Sequence, residues 1–223
     1  LEDRLIGRTR FCVHPEDKVS KIDIIGGTKN PKVEEIIALG PEFIVANKEE
    51  NRKEDVERLQ EHAEVLITEI DTIEEAILTI NELAEKLGAE DKGRSLINEI
   101  TALLDAKPKV APLRVAYFIW KEPWMSVGGD TYIHDVLQEY QLESVFAEED
   151  RYPKTSLEEL AEKNPDLILL SSEPYPFKEK HLQEVKEACP DSRVQLVNGE
   201  WFSWYGARMV PAFTWLNSWR TTL

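Results

Sequence analysis

The chain has 223 residues, 42% of them apolar and 31% charged, with a formal net charge of −16. That composition supports a packed core in one large domain or two small ones. The acidic balance argues against a nucleic-acid backbone, which needs a basic face, and against docking on an anionic membrane surface. No run approaches the ~18 apolar residues of a membrane-spanning helix.

In chain order, the first informative stretch is "EEIIALGPEFIVANKEENRK", 34–53. It reads as a short helix, a Pro that stops it, and an all-apolar strand with a polar tip. A charged helical stretch follows, then a second strand, "EVLITEI", at 64–70. Residues 71–106 read as helical throughout with a break near Gly88. Ile77, Ile80, Leu83, Ala84 and Leu87 form one apolar stripe, and Leu96, Ile97, Ile100, Leu103 and Leu104 another. The second of these helices, about 90–106, would run roughly 25 Å, long enough to cross between two lobes. Beyond it come a strand, "LRVAYFIW" (113–120), a helix, "TYIHDVLQEY" (131–140), and then "NPDLILLSSEPYPF" (164–177), a strand, "RVQLVN" (193–198), and a C-terminal amphipathic helix.

The chain is internally duplicated. With Glu34 set on Glu158, an offset of 124 (158 − 34), Glu35, Pro41, Ile44 and Glu49 fall on Glu159, Pro165, Ile168 and Glu173 without a gap. Continuous apolar strands that follow helices point to parallel sheets covered on both faces. The expected fold is therefore α/β, two Rossmann-like lobes with parallel sheets joined by a single long crossing helix. The lobes are expected at 1–89 and 112–223, with the crossing helix and linker at 90–111. "QLESVFA" at 141–147 resembles the opening "LEDRLIG". The first lobe is thus expected to lack its opening strand and helix, which would precede Leu1.

Ligands of such sheets bind beyond the carboxyl ends of the strands, and two lobes can face each other across a cleft. Every tryptophan lies at or after position 120. Trp120 and Trp124 follow one strand; Trp201, Trp204 and Tyr205 follow another. For Trp124, Trp201 and Trp204 the residues leave core packing and ligand contact open, whereas Trp215 and Trp219, four apart on the last helix, read as core. Gly128 and Gly129 precede the capping residues Asp130 and Thr131, and a Gly-rich helix start can accept anions. No pair among His14, His62, His134 and His181 has metal-ligand spacing. His62 and His181 read as solvated, while His14 and His134 are placed to reach a cleft. Cys12 and Cys189 follow no metal or redox pattern and read as buried free thiols, with a disulfide between them as the alternative. No GxSxG, HExxH or Cys/His pairing marks an enzyme, so no catalytic residue is assigned.

"GGTKNPKVEEIIALGPEFIVANKEEN", "WKEPWMSVGGDTYIHDVL", "TSLEELAEKNPDLIL" and "GEWFSWYGARM" carry a resemblance over the whole chain. The sequence resembles the helical-backbone substrate-binding proteins of ABC importers for cobalamin, haem and ferric siderophores, and is most similar to the cobalamin-binding subgroup. The resemblance implies a non-enzymatic, extracytoplasmic, monomeric receptor with no intrinsic cofactor or metal, which hands a corrinoid or iron chelate to an ABC permease dimer. It places Phe11, Asn47, Trp124, Tyr152, Trp201, Trp204, Tyr205 and Arg208 at the ligand. It also gives Glu34 and Glu158 the role of docking the two lobes on permease arginines. Arg8, Arg10, Arg151 and Arg208 keep an anionic siderophore or haem open as the ligand. A two-lobed α/β enzyme or chaperone of cofactor metabolism is the reading outside this class.

Overall fold

The computed structural model describes residues 2–223; Leu1, where the expected first lobe begins, lies outside them. Packing divides the chain into two units, Leu1–Glu69 and Ile70–Leu223. In the first unit, α1 (Glu16–Val19) and α2 (Val33–Leu39) precede β1 (Phe43–Asn47), followed by α3 (Lys53–Gln60) and β2 (Glu64–Thr68). β1 and β2 pair in parallel, from Phe43 opposite Glu64 to Asn47 opposite Thr68. Ile36, Ala46, Val56 and Leu59 are buried, but Leu5, Ile6, Val45 and Ile67 stay exposed.

The second unit runs α4 (Ile73–Lys86), α5 (Glu90–Asp105), β3 (Leu113–Phe118), β4 (Trp124–Met125), α6 (Tyr132–Glu139), β5 (Leu142–Ser144), β6 (Lys154–Thr155), α7 (Leu157–Lys163), β7 (Leu167–Ser171), α8 (Glu179–Ala188), β8 (Arg193–Val197), α9 (Glu200–Ser203) and α10 (Met209–Trp219). Its main sheet has the order β5-β3-β7-β8, all parallel. Both faces are covered, which is why β3 and β7 are apolar at nearly every position. Val115, Tyr117, Leu167 and Leu169 pack with residues of α4, α5, α6 and α10. The alternate residues Ala116, Phe118, Ile168 and Leu170 pack with Leu160 of α7 and Val185 of α8.

The duplicated unit folds the same way twice. α2 ends on Gly40 (φ 61°) and α7 on Asn164 (φ 46°), both left-handed. Gly and Asn are the residues that reach that conformation at least cost, and it closes a helix. Pro41 and Pro165 follow, and each strand begins two residues later.

The packing boundary falls after Glu69 rather than at 89/90 and 111/112, because α4 and α5 join the core of the second unit. The buried face of α4 is Ile73, Ala76, Ile80 and Ala84; the expected stripe shared Ile80 and Ala84 with it. A Cβ on Gly93 would overlap that of Ala84, so glycine lets α5 lie close against α4. The α4 start is fixed by a capping box. Thr72 Oγ1 accepts from Glu75 N at 3.1 Å, and Glu75 Oε2 accepts from Thr72 N at 3.0 Å. At the other end of the chain, Trp215 and Trp219 stack at 4.9 Å and meet Phe202 edge-on, as core. Buried Arg220 donates to the carbonyls of Tyr140 (2.8 Å) and Ala111 (2.5 Å). Both cysteines are free, but only Cys189 is buried; Cys12 is exposed, its Sγ 3.3 Å from Thr9 Oγ1.

Candidate functional site

In the second unit the chain leaves β3 for β5 on one side and later returns to β7 on the other. The loops after β3 and β7 therefore diverge at the carboxyl end of the sheet, the switch point where open α/β sheets bind ligands. The β3 loop carries Trp120 and Trp124, and the β7 loop carries Glu173, Tyr175 and Phe177. Tyr175 N donates to Ile119 O at 3.2 Å and ties the two loops together. Their rings form a continuous row. Trp120 meets Tyr175 edge-on at 5.6 Å, Tyr175 lies 4.7 Å from Phe177, and Phe177 stacks on Trp124 at 5.7 Å. Trp120 is 39% exposed, more than any other tryptophan. Trp124 is half-buried, backed by Phe118 and covered by the Lys121 ammonium at 5.4 Å.

The β8 loop adds a polar and aromatic cluster. Trp204 Nε1 donates to Glu173 Oε1 at 2.7 Å, and Ser203 Oγ donates to the same oxygen at 3.2 Å. Arg208 lies over the Trp201 ring at 4.8 Å and donates to Glu200 Oε2 at 2.6 Å. Tyr205 meets Tyr132 edge-on at 5.6 Å. Beneath these loops Tyr117 OH donates to Ser171 Oγ at 3.1 Å, which in turn accepts from Glu173 N at 3.3 Å. Burial pushes the Tyr117 hydroxyl far above its ordinary range, so it stays protonated and able to donate. Tyr152 lies beneath the Arg151 guanidinium at 5.6 Å.

Of the residues expected at the ligand, Trp124, Trp201, Trp204, Tyr205 and Arg208 therefore lie on the segments that follow β3 and β8 in the second unit. Phe11 and Asn47 belong to the first unit. Phe11 is 57% exposed. Asn47 ends β1 and has a local structural role. Its Oδ1 accepts from Glu49 N (3.0 Å) and Glu50 N (3.1 Å), while its Nδ2 donates to Thr68 Oγ1 at 3.3 Å. Ser171, its partner in the repeat, organises the β7 loop in the same way. Trp120, Glu173 and Tyr175 were not assigned from sequence. The signal was present, because all three sit in or beside the polar tip that follows a duplicated or matching strand.

Several expectations change. The backbone of Gly128 and Gly129 offers no anion cradle. Their N–H groups donate to Arg151 O (2.7 Å) and Glu149 O (2.8 Å), and a Cβ on either would strike the 147–150 backbone. These glycines let two loops approach. His181 is buried rather than solvated, accepting at Nδ1 from Lys178 N at 2.9 Å and packing against Tyr175 and Phe177. His134 is also buried, within α6. Burial pushes both imidazoles below their ordinary range. Among the described residues no group of three or more His, Cys, Asp or Glu is arranged to hold a metal ion.

Glu34 and Glu158 occupy the same place, the second residue of α2 and of α7, and both are exposed. Glu34 is ion-paired with Arg58 of α3. The Glu158 carboxyl is held below the ordinary range by its own backbone N–H and by the Ser156 hydroxyl. Glu159 differs from both: it accepts from Ser156 N at 3.0 Å and closes a capping box.

A duplicated α/β chain with aromatic loops gathered at parallel strand ends has the form of a solute-binding protein. The chain belongs to the periplasmic binding protein family, whose sequence profile matches residues 1–189. That is a family of extracytoplasmic binding proteins that work with ABC permeases and their ATPases. No described helix is long and apolar enough to cross a membrane. The chain is 24% identical over 177 residues to the vitamin B12-binding protein of Vibrio parahaemolyticus, an alignment covering 77% of this chain and 64% of that protein. The fold is similar to that of the periplasmic vitamin B12-binding protein BtuF of Vibrio cholerae, with a TM-score of 0.77 and 17% identity over 99% of this chain and 89% of that one. It is also similar to the haem-binding protein RhuT of Roseiflexus sp. RS-1, with a TM-score of 0.82 and 15% identity over 97% of this chain and 89% of that one.

Proposed function

We propose that this protein is the non-enzymatic receptor of an ABC importer, a monomer that captures a corrinoid and delivers it to a permease dimer outside the cytoplasm. The observation that carries the reading is the row Trp120–Tyr175–Phe177–Trp124 on the segments that follow β3 and β7, with Trp204 joined to it through Glu173. Ring faces and edges there suit a broad, flat, partly apolar ligand. The sequence relative that binds vitamin B12 favours a corrinoid. Haem is the second reading, favoured by the likeness of the fold to that of RhuT. Phe11 and Tyr152 are assigned to the same ligand, and Glu34 and Glu158 to the permease.

Absorption titration of the purified protein with cyanocobalamin, haemin and a ferric siderophore tests the reading. Saturable spectral change with cyanocobalamin is the expected outcome. Saturation with haemin or the siderophore instead moves the assignment to that chelate, and the absence of saturation with all three removes the receptor reading.

A further inference from the structure

Three cations near the strand ends of the second unit have carboxylate partners. Lys121 pairs with Glu184, Arg208 with Glu200, and Arg151 with Asp71 at 3.2 Å and Asp130 at 3.8 Å. Glu173 is the opposite case. Its hydrogen bonds from side chains come from two neutral donors, the Trp204 indole and the Ser203 hydroxyl, on one oxygen. Among the described residues no Lys or Arg lies within ion-pair distance of it. The carboxylate is half-buried, so solvent and salt screen it less than a surface charge. It is also held in place. A Cβ on Gly199 would overlap Ser171 Oγ and Glu173 Cγ, so the turn after β8 lies close against the Glu173 side chain. The duplication sets Glu49 at the same distance beyond β1.

We infer that Glu173 is a specificity-determining residue. Its uncompensated negative charge at the aromatic strand ends disfavours chelates that carry free carboxylates and favours neutral, amide-bearing or cationic ones. The inference rests on the receptor reading above. A fixed charge at contact distance from a ligand carboxylate, in a partly desolvated site, changes affinity by about tenfold, and specificity is built from repulsion as much as attraction. A second consequence of the geometry is that the charge and the indole hydrogen bond are separable, because a glutamine keeps the acceptor oxygen and removes the charge.

The test uses the whole chain as wild type, Glu173→Gln and Glu173→Ala. The probes are cyanocobalamin, cyanocobalamin with its peripheral propionamides hydrolysed to carboxylates, and haemin. Glu173→Gln is expected to shift the preference between the two corrinoids about tenfold toward the hydrolysed form, relative to the wild type, a shift that shrinks in high salt. Equal affinities of the wild type for the amide and carboxylate forms would overturn the inference while leaving the receptor reading intact. So would a Glu173→Gln variant with an unchanged preference. Loss of affinity for every probe in Glu173→Ala alone, with Glu173→Gln unaltered throughout, would reduce Glu173 to a support for Trp204. Wild-type protein that binds none of the probes removes the receptor reading and this inference with it.

Discussion

Single side chains at the strand ends divide into those that face a ligand and those that hold the sheet. Trp120 and Trp204 are proposed to belong to the first group, whereas Trp215 and Trp219 stack on each other in the core. Trp120→Ala or Trp204→Ala is expected to weaken chelate binding by about 1–3 kcal/mol with little change in melting temperature, as for interface aromatics. Trp215→Ala should lower the melting temperature and leave affinity intact, because its ring packs on Phe202 and Trp219. Parallel thermal melts and absorption titrations separate the two outcomes. His134 and His181 define a pH dependence. Burial lowers both in the folded state, whereas the unfolded chain takes up their protons near the ordinary value of about 6.5. The unfolded state therefore binds more protons below that pH, and stability falls as pH drops through it. Around His134, Asp135 and Asp130 act in the opposite sense; around His181, Lys180, Lys121 and Lys178 reinforce burial and Glu184 opposes it. The double variant His134→Gln, His181→Gln should show a flatter melting temperature between pH 7.5 and 5 than the wild type.

At the scale of elements, the duplicated helix–strand unit was legible because its signals are local. Pro41 and Pro165 mark the helix ends, and the apolar runs behind them mark buried parallel strands. The residues that fill out the site were less legible for a physical reason. Nothing local in "SSEPYPF" says that Glu173 accepts from an indole 31 residues later, or that Tyr175 pairs with Trp120; those contacts depend on which strands become neighbours. Likewise Gly128 and Gly129 look like an anion loop until the facing 147–150 backbone is in place. The same elements set the docking prediction. Glu34 and Glu158 share a helix position but not a surrounding, since Glu34 must first part from Arg58. In reconstituted ATP-driven uptake, Glu158→Lys should reduce transport more than Glu34→Lys, and neither should alter chelate affinity. Arg58→Gln, which frees Glu34, should leave uptake undiminished. Glu162 and Glu35 are the appropriate controls, because Glu159→Lys would also break a cap. Equal loss from the controls would assign the effect to bulk charge.

Over the whole molecule the two units are unequally built. The second has a four-stranded sheet whose central strands are almost fully buried. The first has a two-stranded sheet with Val45 and Ile67 exposed. Local opening is expected to follow that difference. Amide hydrogen exchange should protect 113–118 and 167–171 by the full unfolding free energy, and 43–47 by clearly less. Comparable protection in both sheets would show that the small core of the first unit is sufficient alone.

The placement of the aromatic residues has an optical consequence. All six tryptophans and all six tyrosines lie beyond Glu69, so the first unit holds just Phe11 and Phe43. Intrinsic fluorescence excited at the indole band is therefore a report from the second unit. If the first unit melts earlier, far-ultraviolet circular dichroism will register the loss of α2, α3, β1 and β2 while the emission spectrum stands still. A tryptophan placed at Phe43 would give the silent unit a signal of its own.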